Sequence, residues 1–288
     1  MLRLSAPAKI NLSLKVLGRR DDGYHLLDSL VAFADIGDTL FLHKADSTSF
    51  EISGPFGAAL NGENLVMQAH GALQAHMGAA LPCRIELQKN LPIAAGLGGG
   101  SADAAATLRG LVHLFDGDEK AVLPLAQSLG ADVPVCLETA PAMMRGIGHD
   151  IERLAALPPM DIVLVNPRQT LATADVFAAL SLAAQSEASA PPCFDTAATL
   201  LDFVKQQGND LQEAACRLVP DIAACLAALK ESGFAYSAMS GSGASCFGLC
   251  APGRGRAMAA RYRTLREKDW LVAGRLIGAG DTKIDETN

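Results

Sequence analysis

The run from Leu91 to Ala106, LPIAAGLGGGSADAAA, places Gly96, Gly98, Gly99 and Gly100 directly before an alanine-rich stretch. Backbone without side chains turns tightly and leaves its N–H groups uncovered. A helix beginning near Ser101 aims the positive end of its dipole at the same place. The sequence therefore predicts an anion cradle. An alternating segment with Cys83, Ile85 and Leu87 on one face precedes it, and Ala105, Leu108, Val112 and Phe115 follow at helical spacing. Strand, loop, helix is the order a phosphate site requires. The chain has no G-x-x-x-x-G-K-S/T run, and the loop reads G-x-G-x-x-S where a dinucleotide fold carries a third glycine.

Half of the 288 residues are hydrophobic and 19% are charged, which predicts a well-packed soluble protein of one large or two smaller domains. No stretch approaches the apolar length of a membrane span and the N-terminus lacks an export pattern, so a cytoplasmic protein without membrane association is expected. The net charge of −7 argues against a nucleic-acid partner. Arg254, Arg256, Arg261, Arg263, Arg266 and Lys268 crowd one segment, but Ala257, Ala260 and Leu265 give it an apolar side, so a solvated amphipathic helix is expected. Seven cysteines without a C-x-x-C pair read as free, buried thiols.

Strict alternation predicts one strand from Ile10 to Val16, with Asn11, Ser13 and Lys15 on the face opposite the core. Further strands are expected at Leu30–Phe33 and Thr39–Leu42, and helices after Asn64, after the glycine loop and over Glu119–Leu129. The Leu157-Pro-Pro159 break before a buried strand suggests domains of residues 1–158 and 159–288. In the second, a loose excursion is expected between Ser181 and Pro192. Helices are expected at Thr196–Lys205, Gln212–Val219 and Asp221–Ser232, then a strand, glycine turn and strand from Tyr236.

Three separated motifs need one explanation: Pro7-Ala-Lys-Ile-Asn-Leu12, Gly96–Ser101, and Ser240-Gly-Ser-Gly-Ala-Ser245. Together they resemble the GHMP kinases, over most of the chain. Gly23-Tyr-His25 and Gly130-Ala-Asp-Val-Pro-Val135 narrow the resemblance to members that phosphorylate a cytidine-diphosphate-linked alcohol, and disfavour homoserine or mevalonate as the acceptor. The resemblance implies an α+β fold, with a ribosomal-protein-S5-like N-terminal domain, a ferredoxin-like C-terminal domain and the site between them.

It also implies ATP and Mg²⁺. Asn64, Pro92, Gly96, Leu97, Gly98, Gly99, Gly100, Ser101 and Ala102 would bind ATP, with Ser101 offering a hydroxyl to a phosphate oxygen or to Mg²⁺, whose protein ligands the sequence does not identify. Asp132 would be the acid–base residue and Lys9 its cationic partner. On residue type alone, Asp132 also reads as a turn or cap carboxylate, Lys9 as a solvated lysine and Asn64 as an N-cap. Asn11, Tyr24, His25, Thr173, Phe177, Gly241 and Gly243 would bind the acceptor, with Tyr24 and Phe177 stacking on cytosine and His25 reading its edge. Phe177 fits a helical core equally well. Ala102-Asp103 stands where related sequences often carry a second Ser and an Asn, which puts an extra carboxylate beside the triphosphate.

Overall fold

The computed structural model describes residues 1–60, 64–181, 188–190, 192–278 and 284–286. Seven strands form most of a first sheet: β1 (Leu2–Asn11), β2 (Lys15–Arg19), β3 (His25–Lys44), β4 (Ser49–Ser53), β5 (Cys83–Gln88), β6 (Ala142–Gly146) and β7 (Asp150–Arg153). A second, four-stranded sheet holds β8 (Asp161–Asn166), β9 (Tyr236–Met239), β10 (Cys246–Cys250) and β11 (Trp270–Arg275), in the order β11-β8-β10-β9. The last strand, β12 (Ile284–Glu286), returns to pair antiparallel with β1 in the first sheet.

Helices α1 (Leu65–Met77), α2 (Gly99–Leu114), α3 (Val122–Leu129) and α4 (Val133–Glu138) pack with the first sheet. The second sheet carries α5 (Thr173–Ala178), α6 (Ala197–Gln207), α7 (Gln212–Leu218), α8 (Pro220–Glu231) and α9 (Gly255–Leu265). The apolar periodicities of α1 and α2 meet those of β1, β3 and β5 in one core that includes Leu4, Leu42, Ile85, Leu108 and Leu111. Gly110 lets α2 lie close, because a Cβ there would come within 2.5 Å of Leu42 and 2.9 Å of Leu4.

β3 is a 20-residue strand, longer than a sheet strand usually runs. Its pairing with β1 slips at one point: Pro7 opposes Gly37, but Lys9 opposes Phe33, so Ala8 faces three residues of β3. Such a bulge bends the strand and frees backbone groups from the ladder. The Lys9 N–H uses that freedom to donate to the Leu97 carbonyl at 2.9 Å.

Sequence alternation predicts one strand over Ile10–Val16; the chain instead leaves the ladder after Asn11 and re-enters at Lys15. The burial pattern survives because Leu12 and Leu14 still point inward, while their N–H groups go to Leu30 O and Gly208 O. Asn11 and Ser13 are buried too, since a second layer covers the opposite face. The basic helix is amphipathic, but Met258, Ala259 and Tyr262 form its buried face, whereas Ala257, Ala260 and Leu265 are exposed. Five of the seven cysteines are buried and all are free thiols. Of the excursion expected between Ser181 and Pro192, residues 182–187 and 191 lie outside the described residues. No helix among the described residues is long and apolar enough to cross a membrane.

Candidate active site

Gly98, in a left-handed conformation at φ +61, is the N-cap of α2 and offers no capping side chain. Ala102 N–H is the first to reach back along the helix, to Gly98 O at 2.9 Å, so the amides of Gly99, Gly100 and Ser101 lie ahead of the ladder. An uncapped helix start of this kind binds anions through N–H groups and the dipole together. The helix begins two residues before the start expected at Ser101, because the glycines themselves take helical conformation.

Lys9 lies under this loop. A Cβ on Gly98 would come within 2.9 Å of the Lys9 Cβ, so the loop backbone rests on the lysine stem. The Lys9 ammonium donates to Asp132 Oδ2 at 2.7 Å; the lysine side chain is 6% exposed and the aspartate 39%. Asp132 occupies the N-cap position of α4 yet makes no capping bond. Its carboxylate is directed to the lysine instead, and one edge stays open to solvent. The bulge at Ala8 and the Gly130–Asp132 bend bring together residues 123 positions apart.

The C-terminal glycine turn docks against the Gly96–Ser101 loop. Ser240 Oγ donates to Gly96 O at 2.7 Å and accepts from Asn11 N–H at 3.1 Å, and Ser245 N–H donates to Ala95 O at 3.1 Å. Asn209 holds the turn from behind, its amide donating to Met239 O and Gly241 O. Ser242 and Thr173 share a hydroxyl hydrogen bond at 2.8 Å. Phe177, one turn along α5, stacks on His25 with ring centroids 4.6 Å apart. Burial, with Arg19 adding to it, keeps His25 below the ordinary imidazole value, so the ring is neutral near pH 7.

These pieces enclose one cavity of about 490 Å³. Lys9 and Asp132 line it, as do Asn64, Pro92, Leu97, every residue from Gly96 to Ser101, and Asn11, Thr173, Phe177 and Gly241. Ala102 is buried behind the loop, and Gly243 shapes the turn at φ +90 without reaching the lining. Asn64 caps α1, accepting from Met67 N–H at 3.0 Å, and also lines the cavity.

Neither Tyr24 nor His25 is in the lining: Tyr24, just ahead of β3, is 62% exposed, and His25, the first residue of β3, reaches the cavity wall only through Phe177. His25 is the ring that meets Phe177. Sequence reasoning also misses Lys89 and Asp38, which form a buried triad with Asp103. Lys89 donates to Asp38 Oδ2 at 2.5 Å and to Asp103 Oδ2 at 2.6 Å.

The family models for the GHMP kinase N-terminal domain and C-terminal domain match residues 64–139 and 197–267. A protein of Rhizobium etli named 4-diphosphocytidyl-2-C-methyl-D-erythritol kinase is 46% identical over 93% of this chain and 92% of its own. The chain belongs to the GHMP kinase family. A protein of Brucella abortus with the same name is 47% identical over 85% of this kinase and 84% of its own length. A crystal structure of 4-(cytidine 5'-diphospho)-2C-methyl-D-erythritol kinase superposes with a TM-score of 0.79 at 34% identity, covering 96% of this chain and all of that one. A homoserine kinase of Cytophaga hutchinsonii shares the fold, with a TM-score of 0.68 at 17% identity over 99% of this chain and 97% of that one. The α+β architecture expected from the motifs is thus that of the GHMP kinases, and ATP is the phosphate donor the family uses.

Proposed function

We propose that this kinase transfers the γ-phosphoryl group of ATP to the 2-hydroxyl of 4-diphosphocytidyl-2-C-methyl-D-erythritol, a step of the non-mevalonate route to isoprenoid precursors. The observation that carries the reading is the 2.7 Å Lys9–Asp132 pair at the mouth of the α2 amides, inside the cavity that also holds Phe177. A phosphate cradle, a carboxylate and a base-stacking ring then share one enclosure. The names of the relatives supply the identity of the acceptor.

In this reading the acceptor hydroxyl oxygen attacks the γ-phosphorus in line. The bond to the β-phosphate oxygen breaks, and the hydroxyl proton passes to the Asp132 carboxylate. Lys9 orients that carboxylate and balances negative charge on the transferred group. The amides ahead of α2 hold the phosphates, so positioning and electrostatics supply the rate. In the same reading Phe177 supplies the face on which cytosine would stack, and His25, stacked on Phe177, would read its edge.

Among the described residues no group of three or more His, Cys, Asp or Glu could hold a metal ion. In this reading Mg²⁺ would be held by the ATP phosphates and the Ser101 hydroxyl and would supply charge neutralisation on the transferred group. The domain division at residue 158 remains part of this proposal: residues 1–158 carry the glycine loop, and the site lies between them and residues 159–288.

Release of ADP, measured with ATP and the cytidine-linked alcohol, tests the reading against homoserine and mevalonate as acceptors. Phosphorus NMR of the product then gives the position phosphorylated. Turnover with either alternative alcohol and none with the cytidine-linked one would overturn it.

A further inference from the structure

The phosphoryl-transfer step leaves the buried Asp38–Lys89–Asp103 triad unused, although Lys89 and Asp103 line the same cavity. Each member comes from a different segment: Asp38 from β3, Lys89 from just past β5, and Asp103 from the second turn of α2. Residues 90–102, which contain the phosphate loop, are closed off by the Lys89–Asp103 ion pair. The ammonium is also close beneath that loop. A Cβ on Gly99 would come within 3.1 Å of Lys89 Nζ and 3.4 Å of Asp38 Oδ2.

The two carboxylates are not equivalent. Asp38 Oδ1 accepts from Asn90 N–H at 2.5 Å and Leu91 N–H at 2.8 Å, and its Oδ2 takes the lysine. Asp103 Oδ2 takes the lysine as well, but its Oδ1 is buried with no hydrogen-bond partner. With both ionised, two carboxylates against one ammonium leave an excess negative charge behind a loop built for an anion. Burial raises Asp103 to about 7 against the pull of Lys89, with Asp38 adding to the rise. For Lys89, burial opposes the charge, but Asp103 and Asp38 outweigh it and hold the lysine above its ordinary value. Buried ion clusters of this kind add little net stability compared with apolar packing. Net stability is thus a weak account of this one.

We propose that the Asp38–Lys89–Asp103 triad is the positioning device for the nucleotide: Lys89 fixes the direction of the α2 amides, and the Asp103 charge limits how tightly they hold phosphate. This rests on the reading of the loop as the ATP site. Lys89 ties the loop's entrance to its exit, so its removal lets the Gly99 backbone shift. Asp103→Asn keeps an acceptor for Lys89 and removes the excess charge.

Calorimetry on the full chain, with a non-hydrolysable ATP analogue and with cytidine diphosphate as separate probes, tests both parts. Lys89→Met is expected to weaken the ATP analogue about 10- to 100-fold and cytidine diphosphate less than about twofold, the scale of a small misplacement in a site. At about pH 8.5, above the raised Asp103 value, Asp103→Asn is expected to bind the ATP analogue about two- to tenfold more tightly than the wild type, as loss of a nearby like charge requires, and the gap should narrow below about pH 7. A purely structural triad would weaken both ligands together in either variant. Equal loss of both ligands in Lys89→Met overturns the proposal, and so does weaker nucleotide binding in folded Asp103→Asn. Should Lys89→Met not fold, the direction of the Asp103→Asn change decides alone. Failure of the wild type to bind the ATP analogue while it binds cytidine diphosphate would instead overturn the reading of the loop, and the proposal with it.

Discussion

Ser240 and Gly96 lock the two glycine loops together. The serine hydroxyl donates to the Gly96 carbonyl at 2.7 Å, and the Ser240 carbonyl fills the space that a Cβ on Gly96 would need. Gly96 is also left-handed, at φ +72. Its importance thus comes from the neighbouring loop as much as from a ligand.

Gly96→Ala should therefore destabilise the protein by about 1–3 kcal/mol or more, from φ strain plus the clash with Ser240. Gly71→Ala is its control: this exposed α1 position has nothing within 4 Å of where a methyl would sit, and alanine there should stabilise by about 0.5–1 kcal/mol. Urea unfolding of both variants measures the difference. A stable Gly96→Ala with unaltered ligand binding would contradict the packing described.

Asp132→Asn should lower kcat by about 10²–10⁴-fold and leave ATP binding nearly intact, since the amide keeps the shape and cannot take the proton. Lys9→Ala should also lower kcat. Because the two side chains meet at 2.7 Å, the double variant should lose less than the product of the single losses. Steady-state kinetics of the four proteins would show full additivity if the residues act separately.

Base selection should depend on His25 more than on Tyr24. His25→Ala is expected to narrow the preference for the cytidine-linked over a uridine-linked substrate, because a lost hydrogen bond to a buried edge costs about 1–3 kcal/mol. Tyr24→Ala, at an exposed ring, should leave kcat/KM within about twofold, as surface changes usually do. The depressed His25 value means the preference should hold from pH 8 down through the ordinary imidazole range and decline only below it. A decline centred above pH 7 would rule out neutral His25 as the reader.

Asp269 gives a pH test in the other half of the chain. Burial opposes its charge, but Arg266, Tyr262 and Cys225 more than offset that through hydrogen bonds and lower its pKa. A carboxylate with a depressed folded value contributes stability above its unfolded pKa, about 3.9, and loses it as pH falls through the folded value. Asp269→Asn should be less stable than the wild type at pH 7, with the gap closing below about pH 4. Thermal unfolding across that range would show a constant gap if the network carries no charge.

The glycine loop and the C-terminal turn are legible because each is a short motif whose local chemistry restricts its use, whereas the Lys9–Asp132 pair is joined only by the fold. Lys9 reads on its own as solvated; nothing local to β1 reveals that α4 delivers Asp132 to it. The triad is harder still. Lys89 is 51 residues from Asp38 and 14 from Asp103, and a lysine at a strand end ordinarily reads as surface. The pattern from Ile10 to Val16 reports burial correctly and pairing incorrectly, since alternation registers which way side chains point and is blind to where N–H groups go. Tyr24 and His25 read as a unit in the sequence, yet Tyr24 stays exposed ahead of β3 while His25 begins the strand and stacks on Phe177.

β3 carries His25 at one end and Asp38 thirteen positions later, and Phe33 between them opposes Lys9. One strand thus acts as a spacer, at roughly 3.3 Å per residue apart from its bulge opposite Ala8, between the His25–Phe177 stack and the end that braces the glycine loop. A single insertion or deletion in it would do more than shift a loop. It would turn every later side chain to the other face and change the spacing between the two ends of the site. Acceptors of different length are then more readily accommodated by altering α5 and its loops than by altering this strand.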